Sequence, residues 1–562
     1  MNLLIVESPT KAHHIQEFLG NGWVVKASMG HIRDLEMTGE KAYVRPPDFK
    51  MNYVADRKQK ATIAGLKALA NKASKVYLAT DPDREGEAIS WHLCQVLGIK
   101  PSAALRVTYT EITESAIKSA IANPRHIDMK LVAAQEVRRG LDRMVGWEVS
   151  SPLSRSITAK ASAGRVQSPA LRLVVERETA IDQFVPTHYF NVVAEFGNNT
   201  PTNTWKATWQ DGLREGQYFQ NEQFANKLAV MISDLDFKVI QAESKMVKKA
   251  PPAPFTTATM QMDGSRALKC GVDAIMRAAQ ALFDTGEITY HRTDSPHLSS
   301  EGEQLIRKTL TKNKMEVVAY PRKWKAKSGA QGAHEAIRPT NPAKENAGKD
   351  TLQRSLYALI RNRALASQMP DALYKQNSVT LDAGMMGLIP LVFKGTGSVL
   401  TSKGWMALYN ESQDNKDIEA KNQVPVLKIG DTLNAEKGDK IAKSTQAPAR
   451  FTEATLIETL EKNGVGRPAT YAAIVKTLYA RGYITKKAKT PSVEPTDLGR
   501  NVVAALSGRF DFADVTWTKG IEEGLDNISE GQGNPRGLLQ TVWDSLQVGL
   551  QDMNVKRSRP KM

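Results

Sequence analysis

The sequence predicts a multidomain chain of α/β and α+β parts, and three observations support this. Residues 1 to about 122 alternate strand and helix periods. Two β-textured stretches, 186–249 and 371–441, flank an insert at 250–370. Helical periodicity fills 123–185 and 442–548, and a short basic tail closes the chain at 549–562. With 562 residues there is room for about three to five domains with real cores. The chain carries 76 Lys and Arg against 60 Asp and Glu, a net +16, which suits a polyanionic partner, nucleic acid first. No apolar run approaches the ~20 residues of a membrane span. The N-terminus enters a strand at Leu3 without a signal-peptide pattern. Cys94 and Cys270 form neither a disulfide framework nor a zinc-ribbon spacing. A soluble, cytoplasmic protein is expected.

In the first region the strands are Leu3–Val6, Val24–Ala27, Val76–Ala79 and Arg106–Tyr109. Ser8 as cap and Pro9 at the first turn start the helix that carries Lys11, and Thr113 caps the one ending at Asn123-Pro124. The pattern predicts a parallel sheet with helices on both faces. Polar residues follow each strand: Glu7, His31, Asp81 and Glu111. Ligands of such sheets bind outside the carboxyl ends of the strands, so the four mark one site. The third strand runs into Thr80-Asp81-Pro82-Asp83-Arg84-Glu85-Gly86-Glu87, four carboxylates in seven residues. They repel one another unless a cation lies between them, and Mg²⁺ is suited to that place because it takes carboxylate and phosphate oxygens. The plainer reading is an acidic helix cap.

Residues 128 to about 185 read as helices. Val137, Leu141, Met144 and Val145 share one face, with Gln135, Arg139 and Arg143 opposite. Ser162-Ala163-Gly164-Arg165-Val166-Gln167 is a small-residue turn at a helix start, where exposed amides could take a phosphate. The β-textured stretches include Tyr189–Ala194, Trp205–Trp209, Ser378–Leu381, Leu388–Phe393 and Val424–Leu427; paired, they would make one connector without catalytic features. The insert opens on a stiff basic linker, Lys248 to Pro254, and holds Glu287-Ile288-Thr289-Tyr290-His291-Arg292-Thr293-Asp294-Ser295-Pro296. In an extended segment Tyr290 and Arg292 point the same way. A phenol beside a fixed cation can act as a nucleophile, although a lone strand tyrosine is more commonly core. A second polar cluster, His334 to Thr340, lacks the second histidine of a zinc-protease helix. Lys312–Lys327, with Trp324, reads as a solvated loop. Downstream, Thr452 caps one helix and Gly466-Arg467-Pro468-Ala469-Thr470 starts another. Tyr483–Lys487, Ser492–Glu494 and the helix from Thr496 suit a wing.

Eight segments then stand in a familiar order: Val6–Ala12, Gly30–Leu35, Asp81–Glu87, Ser162–Gln167, Pro251–Thr257, Ile288–Ser295, Ala333–Pro339 and Gly466–Tyr471. On them the chain resembles the type IA DNA topoisomerases, most closely the bacterial topoisomerase I group. The resemblance implies a toroid: a toprim domain at 1–122, a helical single-stranded-DNA-binding domain with a winged-helix-like part, a β-rich hinge arch and an inserted tyrosine domain. It implies ATP-independent cleavage by Tyr290 through a 5′-phosphotyrosyl intermediate, strand passage and resealing, so that negative supercoils relax. Glu7, Asp81, Asp83 and Glu85 would hold Mg²⁺, with Glu7, Lys11 and Arg292 as catalytic partners of Tyr290. His31, Arg138, Arg139, Arg143, Ser162, Ala163, Gly164, Arg165, Val166, Gln167, His334, Arg338, Thr470 and Gly499 would hold the DNA strand. A monomer that uses no nucleotide and no membrane is expected, and no Gly-x-x-x-x-Gly-Lys-Ser/Thr loop occurs. Many relatives continue into four-cysteine zinc modules. Here such cysteines are lacking, so the grip on single strands would fall to the basic tail or to a partner. The alternatives are a topoisomerase III-like decatenase, a toprim nuclease or primase that needs no tyrosine, and a DNA-binding structural protein.

Overall fold

The computed structural model describes residues 1–198, 200–325, 334–409, 422–487 and 490–555. Its first body holds β1 (Asn2–Val6), α1 (Pro9–Leu19), β2 (Trp23–Ala27), β3 (Arg33–Leu35), β4 (Tyr53–Ala55), α2 (Lys60–Ala70), β5 (Lys75–Leu78), α3 (Arg84–Leu97), β6 (Leu105–Arg106) and α4 (Glu114–Ala122). Strands β2-β1-β5-β6 form a parallel sheet in that order. Leu3, Leu4, Ile5 and Val6 are all fully buried, as expected of a strand covered on both faces. Leu3 and Ile5 pack with Leu78, Ile89 and Leu93, while Leu4 and Val6 join Ala12, Ile15 and Ile117. The fourth strand is shorter than its sequence pattern. After Arg106, whose backbone bridges Arg125, the chain leaves the sheet.

Next come α5 (Met129–Met144), a π-helical turn (Val145–Val149), α6 (Ser150–Ser156) and α7 (Gln167–Asp182). Then β7 (His188–Asn198), β8 (Thr200–Trp209), α8 (Glu222–Met231) and β9 (Asp236–Lys249) lead to the insert, made of α9 (Thr257–Leu268), α10 (Val272–Asp284), α11 (Ser300–Lys312) and α12 (Thr351–Ala366). The chain returns through β10 (Ala372–Met386), β11 (Ile389–Ser402), β12 (Thr432–Asn434) and β13 (Lys437–Ser444). The two β-textured stretches do pair, as a seven-stranded antiparallel sheet of order β12-β9-β10-β11-β8-β7-β13. Val424–Leu427 is not a strand; Val424 fills the core of this sheet from a loop. The end of β9 pairs with the start of β10, Lys249 opposite Ala372. The insert therefore leaves and re-enters through one two-stranded stem, and Lys248-Lys249 belong to a strand rather than to a linker.

The last body holds α13 (Glu453–Lys462), α14 (Tyr471–Ala480), β14 (Ile484–Lys486), β15 (Val493–Pro495), α15 (Asp497–Leu506), α16 (Val515–Glu530) and α17 (Pro535–Val555). The β14–β15 hairpin is the expected wing. One core joins α5 to α7 with α13 to α17, so distant stretches of sequence fold together. The final helix runs through Val555, into the stretch read as a tail; residues 556–562 and the loop at 326–333 lie outside the described residues. Lys323, by contrast, is docked onto Glu303, and Arg322 onto Asp371. No helix among the described residues is long and apolar enough to cross a membrane.

Ile5 is the cleanest test of the two-faced sheet. Ile5→Ala should lower stability by about 2–5 kcal/mol, read as an earlier denaturant midpoint of the unit that contains this sheet.

Candidate active site

The acid loop follows β5 and turns sharply into α3. Asp83 caps that helix, its Oδ1 accepting from the Gly86 amide at 2.8 Å, and Thr80 Oγ1 donates to the Gly86 carbonyl at 2.6 Å. A Cβ on Gly86 would lie 2.1 Å from the Asp81 carbonyl oxygen, so the turn admits only glycine. Buried Arg106 fixes the loop from beneath, donating to the carbonyls of Thr80 (2.8 Å) and Asp81 (2.6 Å) and to Glu87 (3.0 Å).

Lys11 is almost wholly buried. Its ammonium pairs with Asp81 and lies 3.8 Å from Glu7 and 3.6 Å from Asp284. Burial opposes its charge, but Asp81 and Glu7 outweigh that and raise its pKa. Burial likewise opposes ionisation of Asp81, while Lys11 and Arg292 hold its carboxyl below the usual range. Burial and the nearby Asp81 push the Glu7 carboxyl well up. From the insert, Tyr290 donates its hydroxyl to Asp83 Oδ2 at 2.7 Å and is 1% exposed. Burial and Asp83 raise the phenol well above its ordinary pKa. Arg292 lies 3.8 Å from Asp83 and 3.5 Å from Glu85, so the two side chains do reach the same loop. His31 bonds Glu85 at 3.1 Å and, together with Arg292, holds that carboxyl down to about 2.

Beside these groups opens a cavity of about 60 Å³, lined in part by Asp83, Glu85, Arg138, Arg292, His334 and Arg467. Buried Arg292 Nε and His334 Nδ1 have no hydrogen-bond partner there, polar atoms suited to an entering phosphate oxygen. The acids offer hard oxygen ligands in excess of the local positive charge, which fits a hard divalent cation. Among the described residues no three His, Cys, Asp or Glu side chains converge on one point. In this closed arrangement the acids are engaged with Lys11, Tyr290 and His31.

Other expected strand contacts are placed differently. Arg139 pairs with Asp34 at 2.6 Å, and buried Arg143 donates to the Glu36 carbonyl at 2.9 Å, so both clasp the first body to α5. The expected free amides are satisfied internally: Ser162 donates to Tyr483 Oη (2.7 Å), Ala163 to Ser150 Oγ (3.0 Å) and Gly164 to Ser168 Oγ (3.3 Å). Arg165 is buried on Glu522 (2.6 Å) and Asp142 (3.1 Å), Val166 is core, and Gln167 opens α7. Arg338 is buried between Glu335 (2.8 Å) and Glu111 (3.0 Å), bridging insert and first body. Thr470 Oγ1 accepts from the Arg467 amide at 2.9 Å and shapes that turn. Gly499 packs where a Cβ would meet the Tyr483 carbonyl oxygen at 2.2 Å. Asp284, Arg84, Asp294 and Asp526 also stand at the site: Arg84 and Asp294 lie within the acid and tyrosine motifs, whereas Asp284 and Asp526 carry no motif of their own.

A carboxylate loop at the ends of parallel strands, with a tyrosine delivered from an insert beside a cavity lined by arginines and acids, fits an enzyme that works on phosphodiesters. The family model for DNA topoisomerase matches residues 126–540, and that for the Toprim domain matches residues 2–113. "DNA topoisomerase I, plasmid" of Xylella fastidiosa (strain 9a5c) is 42% identical over 99% of this chain and 84% of its own length. "DNA topoisomerase 1" of the same organism is 37% identical over 96% and 69%. Full-length topoisomerase I from Thermotoga maritima matches with a TM-score of 0.84 at 32% identity, over 98% of this chain and 90% of that one. The chain belongs to the DNA topoisomerase family, as a type IA enzyme of the bacterial topoisomerase I group.

Gly86→Ala should leave a folded protein whose covalent DNA adducts form about 100-fold more slowly, measured with an end-labelled oligonucleotide, because the acid loop is displaced by an ångström or more. Glu522, held down to about 2 because Arg165 outweighs the cost of burial, contributes stability that is full above about pH 4.5 and is lost as pH falls toward 2. Glu522→Gln should therefore flatten the acid limb of the stability profile and cost about 3 kcal/mol at neutral pH, since buried Arg165 is left with Asp142 as its one carboxylate partner.

Proposed function

We propose that Tyr290 is the nucleophile that breaks one DNA strand, and the observation that carries this reading is its hydroxyl bonded to Asp83 across the insert's closed interface. The strand would enter along the cavity, guided by Arg138, His334 and Arg467, and bring its phosphorus against Tyr290 Oη. Tyr290 Oη then forms the bond to phosphorus, the P–O3′ bond breaks, and the departing O3′ takes up one proton from water, leaving a 5′-phosphotyrosyl ester and a free 3′-hydroxyl. Asp83 Oδ2 is placed to accept the phenol proton, while Arg292 and Lys11 stabilise the charge on the phosphoryl oxygens. Glu7, Asp81, Asp83 and Glu85 would hold Mg²⁺, which when bound supplies charge neutralisation for the phosphate. The tyrosyl ester keeps the energy of the broken bond, so resealing needs no nucleotide.

Between the two chemical steps the insert, residues 250–370, would swing on its two-stranded stem and admit a second strand. The bodies at 1–122 and at 123–185 with 442–548 would stay together, and the sheet of 186–249 and 371–441 would act as the arch. We read the enzyme as a cytoplasmic monomer that relaxes negatively supercoiled DNA.

Without ATP, the protein should relax a negatively supercoiled plasmid in Mg²⁺, and excess chelator should stop it reversibly; equal relaxation in chelator would remove the metal from the scheme. Tyr290→Phe should abolish cleavage while oligonucleotide affinity stays within about 2-fold, since one hydroxyl makes little of a backbone-dominated contact. Cleavage retained by that variant would point to hydrolysis without a tyrosyl ester.

A further inference from the structure

We propose that Asp526 is a positioning residue for strand cleavage: one carboxylate, shared by Arg84 and Arg467, sets the spacing between the acid loop and the Gly466–Thr470 turn across the cavity. This rests on the reading of Tyr290 as the nucleophile. Arg84 stands between Asp83 and Glu85 in the first turn of α3, only 8% exposed, and its guanidinium pairs with Asp526 Oδ1 on α16. Arg467 Nη2 donates to the other oxygen, Oδ2, at 2.6 Å, and its Nη1 donates to the Gly466 carbonyl at 2.9 Å. The two guanidiniums thus occupy the two oxygens of a single side chain, each in a charge-assisted bond of defined direction. One turn earlier on the same helix, Glu522 pins Arg165 and lies 3.9 Å from Arg467, so α16 offers two acidic rungs to this wall. Asp526, Arg84 and Arg467 all line the cavity that also holds Asp83, Arg292 and His334.

The arrangement has a physical consequence that differs from simple scaffolding. Two arginines share one carboxylate, which offsets part of their charge and keeps them from spreading apart. Without its charge the wall becomes more cationic while the acid loop loses its tether to the strand-holding turn. Affinity and rate should then move in opposite directions, because attraction is set by net charge and cleavage by alignment.

The test uses the full chain and a single-stranded oligonucleotide. Covalent adduct formation is timed at saturating oligonucleotide in Mg²⁺, and binding is measured by anisotropy in a Tyr290→Phe background. Asp526→Asn should form adducts about 10- to 100-fold more slowly, with binding unchanged or tighter at low salt. Asp526→Glu keeps the charge and should recover most of the rate. Wild-type rate in Asp526→Asn, a parallel loss of rate and affinity, a rate in Asp526→Glu as low as in Asp526→Asn, or loss of the folded state in Asp526→Asn would each overturn the proposal. A wild-type chain that forms no adduct at all would strike the tyrosine reading, and the proposal with it.

Discussion

A knot of carboxylates at the ends of parallel strands is unstable by itself, and the structure is arranged around relieving it. Glu7, Asp81 and Asp83 are largely shielded from solvent, with Glu85 at the exposed rim, and like charges shielded in this way interact far more strongly than in water. Their relief comes from separate parts of the chain: Lys11 from α1, His31 from the loop after β2, and Arg292 and the Tyr290 hydroxyl from the insert. Because no single body supplies enough positive charge, the acids act as the adhesive between bodies. A divalent cation held by these acids would offset their charge and help neutralise a DNA phosphate.

Closure of the insert follows from this. Beyond the charged contacts, the Tyr290 amide donates to the Thr110 carbonyl at 2.7 Å, Ser8 donates to Asp284 at 2.9 Å, and Arg338 reaches Glu111. On the far side, Glu453 accepts from the Val272 amide at 2.9 Å, where Gly271 offers no side chain to cap α10. Apolar packing joins the bodies as well, since Val6, Ala12 and Ile112 of the first share a core with Leu282, Phe283 and Tyr290 of the insert, and the stem at Lys249 and Ala372 ties the insert to the sheet.

Local chemistry was legible in the sequence, and long-range satisfaction was not. Ser8, Thr113, Thr452 and Thr496 all cap the helices their positions announced, because a cap is decided within four residues. Of the four strand-end polar residues, Glu7, His31 and Asp81 meet at the acid loop because the alternation of strand and helix fixes which ends face together, whereas Glu111 pairs with Arg338 of the insert. By contrast, the turn at Ser162–Gly164 looked like a phosphate cradle only because Tyr483 Oη, which takes the first amide, lies 321 residues away. Arg143 looked like a strand-facing side chain until the loop after β3 covered it. Asp526 carries no local signal: its partner Arg84 is 442 residues distant. A period of 3.6 residues tells which face of a helix is polar, but not what comes to meet it.

The central claim is that a phenol carried by the insert is brought to the acid loop and becomes the covalent link to DNA. Protease digestion of the denatured protein–oligonucleotide adduct, followed by mass spectrometry of the nucleotide-bearing peptide, addresses it most directly. The account predicts a peptide modified at Tyr290 through a 5′-phosphate. A nucleotide attached to any other side chain, or through its 3′ end, would contradict it.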